Sequence, residues 1–201
     1  MGEQYFVRRP ASHRRAGEIH VLIRGLPFTF RTDAGVFSRG GLDRGTELLI
    51  EALQVASRDS ILDLGCGYGA IGIVASRLST GGHVVLTDVN ERAIELTRAN
   101  LEANGVGNAD VRLGGLYAPV EGMAFHHIVS NPPIRAGRGI VDRIVAEAPD
   151  HLLPGGSLWL VARTRQGAPA LQSRMEHAFG NATIAKRGSG FKVLRSVKSG
   201  A

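Results

Sequence analysis

The sequence predicts an α/β fold in which a mostly parallel sheet carries helices on both faces. Short apolar runs of strand length alternate with amphipathic segments of helix length from residue 60 onward. Glycine-rich or polar turns follow several of these runs, as they do at the ligand-binding edge of a doubly wound sheet. The 201 residues, of which 43% are hydrophobic and 21% charged, suffice for one domain with its own core.

We expect two parts, a basic flexible arm over residues 1–18 and a single domain over residues 19–201. The arm has no apolar segment behind its basic residues, and no run of 18 apolar residues occurs anywhere, so neither a secretory signal nor a membrane span is predicted. Cys66 is the single cysteine, which excludes an internal disulfide, and no Cys/His spacing indicates zinc. We therefore expect a cytoplasmic protein without a metal.

The first elements are a hairpin, a loop and a helix. Residues 19–23 and 28–32 are short strand-like runs separated by a turn that contains Gly25 and Pro27, which predicts an N-terminal hairpin. Residues 32–41 are rich in glycine and polar residues and predict a loop. Asp43 precedes an apolar stripe, so we predict a capped helix over residues 44–56.

The alternating core follows. It predicts strands at residues 61–64, 83–87, 110–113, 125–130 and 157–162, and helices at residues 69–78, 91–104, 139–153 and 169–179. Pro154-Gly155-Gly156 predicts a turn ahead of the strand that begins at residue 157. Two final strands, residues 182–186 and 191–197, have no helix between them, so we predict an antiparallel pair at the edge of the sheet.

The formal net charge is +6, from 24 Lys and Arg against 18 Asp and Glu, and the excess lies at the two ends of the chain. The basic residues concerned are Arg8, Arg9, Arg14 and Arg15, and then Lys186, Arg187, Lys192, Arg195 and Lys198. Such a distribution can attract a phosphate backbone. It is equally typical of an arginine-rich soluble surface.

The turn after the first core strand reads Asp63-Leu64-Gly65-Cys66-Gly67-Tyr68-Gly69. Glycines at the carboxyl end of a strand let a ligand approach the backbone closely. Gly67-x-Gly69-x-x-Gly72, with Asp88 closing the next strand, satisfies the dinucleotide pattern. Asp63, however, stands before the glycines, where it suits a cationic or hydroxylated ligand better than a pyrophosphate. Asp-x-Gly-x-Gly-x-Gly resembles the turn with which class I methyltransferases bind S-adenosylmethionine.

Ser130-Asn131-Pro132-Pro133-Ile134 follows the strand at residues 125–130 and therefore lies at the same edge of the sheet. Consecutive prolines donate no backbone hydrogen bonds and stiffen the turn, which leaves the Asn131 side chain and the Pro132 carbonyl as fixed acceptors. Two acceptors on one exocyclic NH₂ group can hold its nitrogen lone pair toward a methyl donor. An isolated Asn-Pro-Pro is more often a simple turn, but its place after the glycine turn and Asp88 favours amine methylation.

Several stretches of the chain resemble the small-domain methyltransferases. This family includes the C-type guanine-N2 methyltransferases that act on ribosomal RNA, and their single-domain relatives. The stretches are residues 32–38 with 42–49, 63–72, 88–93 and 130–137; residues 164–168 resemble the single-domain relatives especially. The resemblance implies a Rossmann-like class I methyltransferase sheet over residues 19–201, S-adenosylmethionine as cofactor and ribosomal RNA as partner, and it is compatible with a homodimer.

The resemblance also implies roles for individual residues. The amine would be held by Asn131, Pro132, Pro133 and Ile134. The cofactor would be contacted by Phe37, Ser38, Asp63, Gly65, Cys66, Gly67, Asp88, Val89, Gly115 and Asn131. Within that set, Asp63, Gly65 and Gly67 would contact the methionine end and Asp88 the ribose hydroxyls. Residues 35–38 would form a lid-like loop, and residues 43–46 would begin the helix beneath it.

Three positions depart from the pattern of the family. One is His126, since relatives commonly have Phe-Asp where this chain has Phe125-His126, before the Asn-Pro-Pro turn. Gly115 stands where relatives often place an Asp or Asn that bonds the adenine amino group, and Ile134 stands where amine methyltransferases often place an aromatic residue against the target base. The function predicted from the sequence is methyl transfer to guanine N2 in ribosomal RNA. The alternatives are methylation of a protein glutamine amide, methylation of a small-molecule amine, and an RNA-binding protein without turnover.

Overall fold

A computed structural model of the chain describes residues 8, 13, 15–36, 41–132 and 138–200. No helix within these residues is long and apolar enough to cross a membrane. Their strands and helices run in the order β1 (Gly17–Ile23), β2 (Leu26–Thr32), α1 (Arg44–Ala52), β3 (Ile61–Leu64), α2 (Ala70–Leu78), β4 (Val84–Asp88), α3 (Glu91–Ala103), β5 (Ala109–Leu113), β6 (Phe125–Ser130), α4 (Arg138–Glu147), β7 (Leu152–Arg163), α5 (Ala168–Phe179), β8 (Thr183–Gly188) and β9 (Phe191–Val197).

Seven strands form one sheet in the order β5-β4-β3-β6-β7-β9-β8. Strands β3 to β7 pair in parallel, whereas β9 pairs antiparallel with both β7 and β8. The predicted fold class and the predicted C-terminal edge hairpin are thus confirmed. The strand order reverses between β3 and β6, and in open α/β sheets the crevice at such a switch point binds the ligand.

Helices cover both faces of the sheet and bury two apolar clusters. The first cluster contains residues of α1, α2 and α3, and the second contains residues of α4 and α5. Successive residues of β7 alternate between them, with Trp159 in the first cluster and Leu158 and Leu160 in the second. The central strands are therefore buried on both sides, as their nearly continuous apolar runs predict.

Helix α2 lies close to β4 because Gly72 has no side chain. A Cβ at this position would lie 2.3 Å from Leu86 Cδ2 and 3.0 Å from Asp63 Oδ2. The Gly72 N–H also donates to Asp63 Oδ2 at 2.8 Å. The last glycine of the predicted turn motif therefore fixes the helix against the sheet directly beneath the ligand-binding edge.

The predicted N-terminal hairpin is present as the separate antiparallel pair β1 and β2. Asn100 of α3 and Asn104, the C-cap residue that follows this helix, cover the outer edge of β2. Asn104 bonds both the N–H and the carbonyl of Thr29, at 3.0 and 2.7 Å, and Asn100 does the same for Arg31, at 2.7 and 3.0 Å. These side chains satisfy backbone groups that an edge strand otherwise leaves unpaired.

The predicted helix over residues 44–56 is wrong at its end, because α1 stops at Ala52. Leu53 has an extended backbone (φ −63°, ψ 125°) and is buried in the core. Arg24, in the turn of the hairpin, donates to the carbonyls of Glu51 and Leu53 at 3.0 and 2.6 Å. The guanidinium thus bonds carbonyl groups at the helix terminus that would otherwise lack a partner.

The predicted helix over residues 139–153 is also too long. Helix α4 ends at Glu147, a 3₁₀ turn follows over Ala148–His151, and β7 begins at Leu152. Pro149 explains the change, since it has no N–H with which to continue an α-helix.

The Pro154-Gly155-Gly156 segment, predicted as a turn, lies inside β7, where the register with β6 is irregular. Gly155 has φ +77°, a conformation that glycine adopts without strain, and its N–H still donates to the Lys198 carbonyl at 3.0 Å. The segment is therefore an irregularity within a strand, because its backbone remains paired with the chain that follows β9.

Candidate active site

A pocket opens at the carboxyl ends of β3, β4 and β6 and encloses about 820 Å³ of empty space, including its mouth. Asp88 ends β4 and Asn131 follows β6, so these polar residues stand two strands apart, about 10 Å in a sheet. Most of the other side chains that line the pocket are apolar. The lining residues are Leu64, Gly65, Thr87, Asp88, Val89, Gly114, Gly115, Leu116, Ser130, Asn131, Pro132, Ile140, Arg143 and Ile144.

The glycine turn after β3 borders this pocket, and its Gly65 lines it. Gly65 and Gly67 have φ values of +73° and +61°, in the left-handed region where a side chain is strained. The N–H groups of Gly65 and Cys66 donate to the Thr87 carbonyl at 2.8 and 2.9 Å, which ties the turn to β4. A Cβ at Gly65 would meet nothing within 4 Å, so this stretch of backbone faces open space.

Asp88 is held so that its carboxylate faces the pocket. Its Oδ2 accepts from the Gly67 N–H and its Oδ1 from the Asn90 N–H, both at 2.9 Å. The residue is 9% exposed and lines the pocket, and burial raises the pKa of its carboxyl group. Each carboxylate oxygen can accept more than one hydrogen bond, so the group remains able to accept from a pair of hydroxyls.

Asp63 lies beneath the glycine turn rather than on the pocket wall. It is fully buried, its Oδ2 accepts from the Gly72 N–H, and its Oδ1 has no hydrogen-bond partner among the described residues. Burial raises the pKa of its carboxyl group to about 7. Its predicted contact with the methionine end of the cofactor stays a prediction.

The raised pKa of Asp63 predicts a specific pH dependence of stability. Its pKa is about 7 in the folded chain against 3.8 for an ordinary aspartate, so the folded state holds a proton that the unfolded state releases. This contribution to the free energy of unfolding is fully present below pH 3.8 and is lost as the pH rises to about 7. Urea denaturation without cofactor should therefore show the wild type losing stability relative to Asp63→Asn between about pH 5 and pH 7.5. Parallel pH curves for the two proteins would contradict the assignment.

Asn131 is bound to the first turn of α1. Its Nδ2 donates to Asp43 Oδ2 at 3.0 Å and to Thr46 Oγ1 at 2.9 Å. Asp43 is also the N-cap of α1, where the same Oδ2 accepts from the Gly45 and Thr46 N–H groups at 2.9 and 3.0 Å. Since a carboxylate only accepts, the amide nitrogen must face Asp43, which leaves Asn131 Oδ1 as the acceptor for a ligand.

Six of the residues predicted for the site line this one pocket. They are Gly65, Asp88, Val89, Gly115, Asn131 and Pro132. Asp63, Cys66 and Gly67 do not line the pocket: Cys66 and Gly67 belong to the glycine turn, and Asp63 accepts from the Gly72 N–H beneath it. Phe37, Ser38, Pro133 and Ile134 lie outside the described residues.

Cys66 is buried, as expected for a small packing residue, and its Sγ lies 3.5 Å from Thr97 Oγ1. Burial and the negative charges of Asp88 and Asp63 raise the pKa of the thiol well above its usual value. A thiol held in its protonated form is a poor nucleophile.

Sequence reasoning missed two parts of the site. Asp43 and Thr46 are predicted only as a helix start, although they hold Asn131. Ile140, Arg143 and Ile144 of α4 line the pocket, although their spacing predicts only an amphipathic helix. The Asp-x-Gly-Thr pattern was the available signal for the first part. For the two isoleucines of α4 there was none, since apolar helix positions look alike whether they face a core or a cofactor, and Arg143 fits an ordinary i,i+4 pair with Glu147.

The chain is similar to known proteins. The family described as methyltransferase small domain matches residues 27–195, which is most of the chain. The chain belongs to this family. Membership confirms the predicted family. It also confirms the prediction that the protein is an S-adenosylmethionine-dependent methyltransferase.

Two relatives and one solved structure show the range of similarity. YbxB, an uncharacterized protein of Bacillus subtilis, is 34% identical over 200 residues, covering 98% of this chain and all of the relative. The ribosomal RNA small subunit methyltransferase C of Erwinia tasmaniensis is 35% identical, over 85% of this chain and 50% of the relative. The 16S rRNA N2 G1207 methyltransferase RsmC of T. thermophilus, solved with AdoMet and guanosine, superposes with a TM-score of 0.81 at 31% identity, over 93% of this chain and 51% of that one. The chain thus spans about half the length of these C-type enzymes.

The residues of the pocket fit S-adenosylmethionine. Asp88 supplies a charged acceptor suited to two ribose hydroxyls, and Gly65 leaves its backbone open to the ligand. Val89, Leu116 and Ile140 provide apolar surface for a flat base. At Gly115 a Cβ would lie 3.1 Å from Val89 Cγ1, so the glycine leaves room in that wall that a larger residue would fill.

Proposed function

We propose that the protein transfers a methyl group to the exocyclic N2 amine of a guanine in ribosomal RNA. The observation that carries the proposal is the orientation of Asn131, whose amide nitrogen is bound to α1 and whose carbonyl oxygen remains for an amine donor. The similarity to ribosomal RNA small subunit methyltransferase C supports RNA as the substrate class. The neighbouring structure with AdoMet and guanosine supports guanine as the base.

The transfer needs alignment more than acid–base catalysis. When bound, the cofactor supplies an electrophilic methyl group on a positively charged sulfur. The amine lone pair forms the new N–C bond while the C–S bond breaks and its electron pair stays on sulfur; the extra amine proton then leaves to water. Asn131 Oδ1 and the Pro132 carbonyl accept the two amine hydrogens and fix the lone pair, and such positioning alone can lower a barrier by about 7–11 kcal/mol.

Recognition of RNA requires cations near Asn131, and three of the five basic residues of the C-terminal run already have partners within the protein. Lys186 pairs with Glu51 at 2.7 Å, Lys198 donates to the Leu152 carbonyl at 2.8 Å, and Arg195 lies over the Trp159 ring at 5.0 Å. Of the predicted N-terminal arm, Arg8 pairs with Glu91 at 2.8 Å. These four cations therefore have partners within the protein.

Arg163, at the end of β7, is better placed to bind a phosphate. It is exposed, its guanidinium lies 4.9 Å over the Phe191 ring, and no acidic side chain of the described residues pairs with it. The Phe191 ring in turn packs against Gly45, where a Cβ would lie 2.9 Å from Phe191 Cε1. Gly45 precedes Thr46, which bonds Asn131, in the first turn of α1. This turn therefore connects Asn131 with the Phe191 ring over which Arg163 lies.

Arg163→Ala should therefore weaken RNA binding and leave cofactor binding unchanged. The logarithm of the RNA-binding constant falls linearly with the logarithm of the salt concentration, and loss of one phosphate contact should make this slope less steep by about 1. Arg98→Ala is the control, because it removes the same charge from the exposed face of α3. Equal salt slopes for the two variants, measured by fluorescence anisotropy with an rRNA fragment, would exclude Arg163 from the RNA surface.

The proposed function is tested by following the methyl label. The protein is incubated with tritiated S-adenosylmethionine and, in parallel, with naked ribosomal RNA, assembled ribosomal subunits and a total protein extract. Label in either RNA fraction supports the proposal. Label confined to protein would instead support the glutamine-amide alternative and overturn it.

A further inference from the structure

We infer that Asp43 and Thr46 are positioning residues for methyl transfer: they hold the carboxamide of Asn131 with its oxygen toward the amine. This inference rests on the proposed function only in requiring an amine acceptor, and it applies equally to any amine that the protein methylates. It gives the first turn of α1 a role in turnover, beyond its role in starting a helix.

The hydrogen bonds of Asn131 permit only one orientation of its carboxamide group. The Asn131 Nδ2 atom donates to Oδ2 of Asp43, the N-cap of α1, at 3.0 Å and to Oγ1 of Thr46 at 2.9 Å. A carboxamide rotated by 180° would set its oxygen against the Asp43 carboxylate, so that two acceptors would face each other. Asp43 therefore decides which atom of Asn131 the substrate meets.

The backbone on both sides of this contact is fixed. Ser130 Oγ donates to the Leu64 carbonyl at 2.7 Å, which ties the end of β6 to β3, and Pro132 is buried. On the other side, Thr46 is buried and Asp43 Oδ2 is held by two N–H groups of α1. The bonds to Asn131 therefore join two rigid elements 88 residues apart in sequence.

The charge of Asp43 adds to its positioning role. During transfer the amine nitrogen becomes positive and its N–H groups become stronger donors to Asn131 Oδ1. A carboxylate bound to the amide N–H polarises the carboxamide and makes that oxygen a stronger acceptor, because linked hydrogen bonds reinforce one another. The effect is largest in the transition state, so removing Asp43 should reduce kcat more than it raises KM.

Asp43 also caps α1, so the variants must separate the two roles. Asp43→Ser keeps a side chain that caps a helix well but is too short to bind Asn131 at the same time. Thr46→Val removes the hydroxyl with little change of shape, and Thr46→Ser restores it. Thermal unfolding and calorimetry with S-adenosylmethionine establish that folding and cofactor binding are retained.

Single-turnover methylation is then measured on the acceptor that the wild type labels. Asp43→Ser and Thr46→Val should each lower the rate by about tenfold to hundredfold, since small misalignments of reacting groups have effects of this size. Thr46→Ser should recover most of the rate. Adding Asp43→Ser to Asn131→Ala should cause no further loss, because the partner through which Asp43 acts is already gone.

A second readout does not depend on turnover. The side-chain NH₂ signals of Asn131, assigned by their absence from Asn131→Ala, should exchange slowly with solvent in the wild type and faster in Asp43→Ser. Wild-type rates in Asp43→Ser, losses that multiply in the double variant, or unchanged amide exchange would each overturn the inference. A wild type that labels a protein or a small amine would overturn only the RNA proposal, because the same variants are then compared on that acceptor.

Discussion

Asn131→Ala is expected to slow methyl transfer by about two to three orders of magnitude, the usual effect of removing one preorganised polar group from a reaction centre. Its Oδ1 is the acceptor that the two bonds to α1 leave for the amine. Because this contact strengthens as the amine becomes positive, its loss should appear in kcat and in kcat/KM. Single-turnover methylation with labelled cofactor measures the effect.

The affinity for S-adenosylmethionine should change by only a few-fold in Asn131→Ala. Asn131→Asp should fall between this variant and the wild type, because it keeps one acceptor but sets a second carboxylate against Asp43. Transfer at nearly the wild-type rate by Asn131→Ala would show that the Asn-Pro-Pro turn is purely structural.

Asp88→Ala is expected to weaken binding of S-adenosylmethionine by about tenfold to hundredfold, since hydrogen bonds to a charged group contribute roughly 1.5–3 kcal/mol. The variant removes the acceptor for the ribose hydroxyls and also the two N–H bonds, from Gly67 and Asn90, that shape the turn. Isothermal titration calorimetry measures the dissociation constant directly.

Two further variants separate these effects. Asp88→Asn keeps one of the two acceptor oxygens, so its affinity should lie between those of Asp88→Ala and the wild type. Asp110→Ala is the control, because that carboxylate lies on β5, outside the pocket. Affinity for the cofactor that is unchanged in Asp88→Ala would place the ribose elsewhere.

The sequence predicted the parts of the site that local pattern determines. The glycine turn, Asp88 and Asn131-Pro132 each follow an apolar run, so the carboxyl ends of parallel strands bring them to one edge. The alternation of strand and helix predicted the sheet, and the missing helix between the last two strands predicted the antiparallel edge. These features depend on spacing along the chain, which a sequence displays directly.

The remaining features depend on contacts between distant segments. Nothing local shows that Asn131 meets Asp43 across 88 residues, or that Asn100 and Asn104 cover the edge of β2. Two of the three misplaced boundaries, the end of α1 and the start of β7, have the same origin. Arg24, in the turn of the N-terminal hairpin, donates to the Glu51 carbonyl near the end of α1. Gly155 donates to the carbonyl of Lys198, just after β9, and so remains paired within β7.

The proposed activity is methylation of guanine N2 in this pocket, with Asn131 holding the amine. Its most direct test is mass spectrometry of nucleosides from ribosomal RNA treated with the protein and S-adenosylmethionine, with the Asn131→Ala variant assayed in parallel. We expect N2-methylguanosine to form with the wild type and to fall to trace levels with the variant. Methylation at any other position of the nucleosides, or N2-methylguanosine in equal amounts from both proteins, would overturn the proposed activity.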